Sequence, residues 1–192
     1  MPEPTPERTR SFATPAEFRD WLSLHHDSER ELWLTIFKKG SGQRSMTWEE
    51  LVPECLCWGW IDGVRKPLDQ EAYLQRVTPR RPKSTWSKRN REHVERLIAE
   101  GKMQETGWAH VRAAQADGRW EAAYAPPSEM TIPDDFLAAL ELRPQAKAFF
   151  LTLNRANLYA IGYRLQTARR PETRTKRFER CLAMLENGEK FY

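Results

Sequence analysis

The chain has 192 residues, a mass of 22.6 kDa and a net charge of +4, with 40% hydrophobic residues that include eight Trp, eight Phe and five Tyr. So much aromatic surface excludes disorder for most of the chain, and no apolar run approaches the roughly 18 residues a spanning helix needs. Three Cys are too few, and odd in number, for a disulfide framework, which predicts a protein of the reducing cytoplasm.

Residues Met1 to Arg10 hold three Pro among charges of both signs, and they read as a flexible leader without the apolar stretch of a secretory signal. Thr14-Pro15 followed by Glu17 has the form of a helix start, with Phe18, Trp21 and Leu22 as its apolar side. Glu31 to Lys39 is rich in β-branched and aromatic residues and is closed by Gly40-Ser41-Gly42, which predicts a strand and a turn. Thr47-x-x-Glu50 is a capping box before Trp48, Leu51, Val52, Cys55 and Leu56, which lie on one face of a helix bracketed by Gly59 and Gly63. Tyr73 to Pro79 predicts a second strand, and Arg80 to Lys83 a loop. Two helices follow, one capped by Ser84 or Ser87 and ending before Gly101, the other from about Gln104 to Ala116.

Ala125-Pro126-Pro127-Ser128 is the clearest break in the chain. Beyond it Pro133, Pro144 and Pro171 stand at helix starts, and the apolar spacing stays helical as far as Gly188. The expected fold is therefore α+β: a leader over 1–10, a small α/β part with a few strands over 11–124, a linker over 125–132, and an all-helical part over 133–192.

Charge is unevenly distributed. Residues Arg65 to Arg91 hold nine basic and two acidic side chains, net +7, and Arg164 to Arg180 hold seven basic and two acidic, net +5. Clusters of this kind either pair with acids elsewhere or create a positive field that draws anions or nucleic acid. Cys55-Leu56-Cys57 lacks the spacing of a zinc pair, and no second Cys/His pair follows, so no metal or cofactor is expected. No phosphate-cradling glycine loop and no nucleophile elbow is present. Cys57 reads first as a packed thiol and could form a thiolate only if Arg65 or Lys66 lay close, while Asp62 reads first as a turn cap or a partner of Arg65 and could otherwise act as a base.

Two runs carry a family resemblance: Cys57-Trp58-Gly59-Trp60-Ile61-Asp62-Gly63-Val64-Arg65-Lys66, and Thr78-Pro79-Arg80-Arg81-Pro82-Lys83-Ser84-Thr85-Trp86 ending at Asn90. Together with Trp33-Leu34, Lys38 to Gly42 and Thr47-Trp48, they resemble the YdeI/OmpD-associated proteins, bacterial proteins described as bacteriocin-protection proteins. Glu172-Thr173-Arg174 and Arg177 are similar to that family's short helical module, so the resemblance runs from about Phe12 to Gly188. Tyr159-Ala160-Ile161-Gly162-Tyr163 departs from the tryptophan-containing run common at that place. The resemblance implies a bacterial protein and supplies no catalytic residues.

The reading that follows is a non-enzymatic anion-binding or interaction protein, with Trp60, Asp62, Arg65, Lys66, Arg80, Arg81, Lys83 and Trp86 as its binding residues. Asp62 to Lys66 and Thr78 to Ser87 are both expected to be loops, and their arginines to converge beside Trp60 and Trp86 on a small anion or an acidic protein surface. Two alternatives stand beside it: nucleic-acid binding by both basic segments, and an enzyme that uses Asp62 or Cys57.

Overall fold

The computed structural model describes residues 3–192. Among these residues there are eight α-helices and one four-stranded sheet, which makes the protein α+β. The chain forms two units, Met1–Trp86 with Asn90–Ala122, and Ser87–Arg89 with Ala123–Tyr192.

In the first unit Thr14 caps α1 (Pro15–His25) by accepting the Glu17 N–H, and Phe18 and Leu22 are its buried side. The strands are β1 (Thr9–Arg10), β2 (Leu32–Phe37), β3 (Trp60–Pro67) and β4 (Ala72–Pro79), in the order β1-β2-β4-β3. Strand β4 runs antiparallel to both β2 and β3. Helix α2 (Trp48–Cys57) starts on the capping box, with both reciprocal bonds between Thr47 and Glu50 made, and it packs against β3. Gly59, at φ +72°, turns the chain from the end of α2 directly into β3. Helices α3 (Lys88–Ala99) and α4 (Glu105–Ala116) follow.

Two expectations need correction here. The leader is not flexible throughout: Pro6–Arg8 form a 3-10 turn, Thr9 and Arg10 pair in parallel with β2, and Arg8 reaches the Glu31 carboxylate at 3.1 Å. Met1 and Pro2, which the same reading covered, lie outside the described residues. Asp62 to Lys66 is not a loop but the middle of β3, because Gly59 ends the helix and Gly63 sits in the bulge between Asp62 and Arg65.

In the second unit α5 (Asp134–Glu141), α6 (Pro144–Phe150), α7 (Arg155–Gln166) and α8 (Pro171–Glu186) surround Phe136, Leu140, Ile161, Leu165, Cys181, Leu182 and Leu185. Pro144 and Pro171 occupy first-turn positions, where the missing N–H would have no intrahelical partner anyway. No strand occurs between residues 133 and 188.

Candidate functional site

Pairing between β3 and β4 decides where the sequence-predicted site residues go. Trp60 lies opposite Pro79, whereas Arg65 lies opposite Gln75. Five residues of strand put the two ends about 15 Å apart. Trp60 is 1% exposed, donates its indole N–H to the His26 carbonyl at 3.1 Å and meets the edge of Trp21. It is core. Asp62 accepts the Trp48 indole N–H at 3.0 Å. Arg65 lies over the Tyr73 ring at 3.6 Å, beside a cleft of about 230 Å³ shared with Trp48, Glu49 and Gln75. Lys66 pairs with Glu3 at 2.8 Å and approaches the Trp33 ring.

Arg80 is 5% exposed, stacks on Trp86 at 3.8 Å and donates to the Thr85 carbonyl at 2.9 Å. Trp86 is buried against Trp120. Arg81 and Lys83 are exposed on the turn after β4, which the Ser84 N–H closes onto the Arg81 carbonyl. The structure therefore does not gather Arg65, Arg80, Arg81 and Lys83 into one pocket. A strand's length separates the first from the second, and Arg80 turns inward to the indole instead of outward to an anion.

Arg119, absent from the sequence reading, is another buried guanidinium, held by Asp117 and the Ser84 carbonyl. Burial, then the charges of Arg80 and Arg119, hold the His110 imidazole below its ordinary pKa. Cys55, Cys57 and Cys181 are free and buried. Burial, reinforced by Glu54, pushes the Cys57 thiol up to about 12, which accords with the packed thiol and not with the thiolate alternative. No group of three or more His, Cys, Asp or Glu side chains among the described residues could hold a metal ion.

The second unit presents its cations differently. Arg177, Arg180, Cys181 and Met184 recur at i, i+3, i+4 and i+7 and form one stripe of α8. With Tyr163 and Arg164 of α7 and the tail residues Lys190, Phe191 and Tyr192 they line a cleft of about 470 Å³. The tail is a fixed wall. Gly188, at φ +68°, ends α8, and the fully buried Asn157 accepts the N–H groups of Phe191 and Tyr192 at 2.8 and 3.2 Å. Its own amide donates to Asn154 at 2.8 Å, which fixes its orientation.

Arg164 lies 4.6 Å from the centre of the Phe191 ring, and Arg177 donates to the Arg164 carbonyl at 2.9 Å. These bonds hold the guanidinium groups without neutralising them. Among the described residues no Asp or Glu side chain pairs with Arg164, Arg177, Arg180 or Lys190; the ion pairs of this unit lie elsewhere, at Lys88–Glu129, Arg143–Glu186, Lys147–Glu141 and Arg174–Asp135. Burial raises the Cys181 thiol in the cleft lining, and the charges of Arg164, Arg180 and Arg177 partly offset that shift. The +5 count over Arg164 to Arg180 signalled this charge. Nothing in the periodicity signalled Tyr163, Lys190, Phe191 and Tyr192, because the return of the tail depends on one buried amide.

A mixed sheet-and-helix unit and a helical unit with a basic, aromatic-walled cleft define an α+β protein that carries a helical module. Residues 10–110 match the family model described as a domain of unknown function (DUF8412), and the chain belongs to that family. Residues 129–188 match the model described as Bacteriocin-protection, YdeI or OmpD-Associated, so the resemblance carried by Glu172 to Arg177 is matched by a family model over this helical module and not over the whole stretch from Phe12 to Gly188. The motifs at 57–66 and 78–90 fall within the first match. No curated protein and no solved structure matches the chain. No helix among the described residues is long and apolar enough to cross a membrane.

Proposed function

We propose that this is a non-enzymatic anion-binding protein of the bacterial cytoplasm whose principal site is the cleft between α7, α8 and the tail. The observation that carries the reading is the gathering of Arg164, Arg177, Arg180 and Lys190 around one cleft with no carboxylate partner among the described residues. Like charges a few ångströms apart repel by about 1 kcal/mol even in water, and a bound anion removes that cost. Guanidinium forks suit phosphate and carboxylate oxygens, and a cleft of this size suits a small ligand or the acidic tip of a larger one. Three free thiols fit a reducing compartment. Exposed Arg65, Arg81 and Lys83 on the first unit would serve as weaker, screened contacts.

Pyrophosphate titrated into the protein by calorimetry is expected to bind at low salt and to weaken as salt rises. The combined substitutions Arg177→Ala and Arg180→Ala are expected to lower its affinity at least about tenfold. Absence of binding at low salt, or unchanged affinity in the double variant, overturns the assignment.

A further inference from the structure

The cleft is aromatic as well as basic. We infer that it takes a nucleoside polyphosphate, with the phosphates on the arginines and the base on the ring of Tyr192; this rests on the anion-binding reading above. Tyr192 is 79% exposed, yet its backbone N–H is held by Asn157 at 3.2 Å, so its ring stands in solvent on a fixed anchor at the edge of the cleft. One face of Phe191 already carries the Arg164 guanidinium at 4.6 Å. Tyr163 is already in edge contact with Tyr124 at 4.9 Å. The Tyr192 ring is the most exposed aromatic surface of the cleft lining, and stacking on an aromatic side chain is how proteins hold bases without reading their sequence.

The charge distribution favours a compact polyanion. Arg177 and Arg180 project from successive turns of α8, Arg164 faces them from α7, and Lys190 closes the rim from the tail. Four cations around about 470 Å³ match the clustered charge of a di- or triphosphate, whereas a single strand spaces its charges along a groove.

The test compares ATP with tripolyphosphate in magnesium-free buffer, on the full chain, by calorimetry. ATP is expected to bind roughly tenfold more tightly than tripolyphosphate, the gain of one stacked base. In Tyr192→Ala the ratio of the two affinities should fall toward one, and Tyr192→Phe should restore it. Equal affinities in the unaltered protein overturn the nucleotide assignment and leave the anion site standing. Failure of both ligands to bind overturns the two together. Preference for a single-stranded 20-mer over ATP at equal phosphate concentration overturns the mononucleotide in favour of a polynucleotide.

Discussion

Arg80 in the first unit is 5% exposed, stacked on Trp86 at 3.8 Å and bonded to the Thr85 carbonyl, whereas Arg180 in the second is exposed and has no carboxylate partner among the described residues. Both come from segments of high positive charge, and the more highly charged one is the more fully committed to the fold. Within Arg65 to Arg91, Arg76 pairs with Glu31, Arg80 stacks on Trp86 and Arg91 donates to the Trp120 carbonyl. Within Arg164 to Arg180, Arg164 and Arg177 are also bonded to carbonyls, of Ala160 and Arg164, but together with the exposed Arg180 they line a cleft and have no carboxylate partner among the described residues. A count of charges along a chain measures field and not availability. What decides availability is burial and pairing with carboxylates, since carbonyls and rings reach guanidinium groups in both segments.

The largest effect expected from this contrast is on stability at Arg80. Arg80→Ala removes a desolvated cation–π contact and a charged hydrogen bond, and urea unfolding should show a loss of about 3 kcal/mol. Arg80→Lys should recover less than half of it, because an ammonium cannot lie flat on the indole. The neighbouring Arg81→Ala should change stability by under about 0.5 kcal/mol. Equal losses at the two positions would dissolve the contrast.

Asn157→Ala comes next. It leaves two tail N–H groups without their buried acceptor, and a loss of about 2 kcal/mol is expected together with weaker pyrophosphate binding. Unchanged binding would show that the tail is not a wall of the site.

His110 gives a smaller effect that follows pH. Its folded pKa lies below its ordinary 6.5, so the native state favours the neutral ring. Its contribution is present in full above about 6.5 and is lost as the pH falls through that value toward the folded pKa. The stability curve measured from pH 7.5 down to 5 should therefore slope downward, and His110→Gln should flatten it. An unchanged slope in the variant would remove His110 from the account.

The smallest change in stability is expected where the largest change in binding is. Arg180→Ala should leave stability to urea within about 0.5 kcal/mol of the unaltered protein, since an exposed cation without a carboxylate partner contributes little to folding, whereas Arg177→Ala should cost about 1 kcal/mol for the bonds that this half-buried guanidinium donates to the Arg164 carbonyl and the Thr167 hydroxyl. A clear loss at Arg180 would place it with Arg80, as a structural group.

Much of the fold was legible because local chemistry and tertiary packing agreed. The Thr47–Glu50 capping box, Thr14 before Pro15, and Pro144 and Pro171 at first-turn positions are written in adjacent residues. Strand β3 was not legible. Gly59 and Gly63 have the composition of a turn, and only pairing with β4 makes Trp60–Pro67 a strand. Strand β1 is two residues long and owes its existence to the edge of β2. The candidate cleft was half legible. Arg177 and Arg180 stood out by charge, whereas Phe191 and Tyr192 reach it only through Asn157, 34 and 35 residues away along the chain.

The sequence by itself determined the α+β class, the helical character of residues 133 to 188 and the two centres of positive charge, because each follows from residue type and short-range spacing. Only the tertiary structure decided which arginines are occupied. Trp60 and Trp86 became core, and Arg80 turned inward, because antiparallel pairing of β3 with β4 set Trp60 opposite Pro79 and carried Arg65 to the far end of the strand. A guanidinium's partners are chosen by what folding brings within about 3 Å of its five donors. That choice joins residues distant in sequence and is settled only when the chain has closed around them.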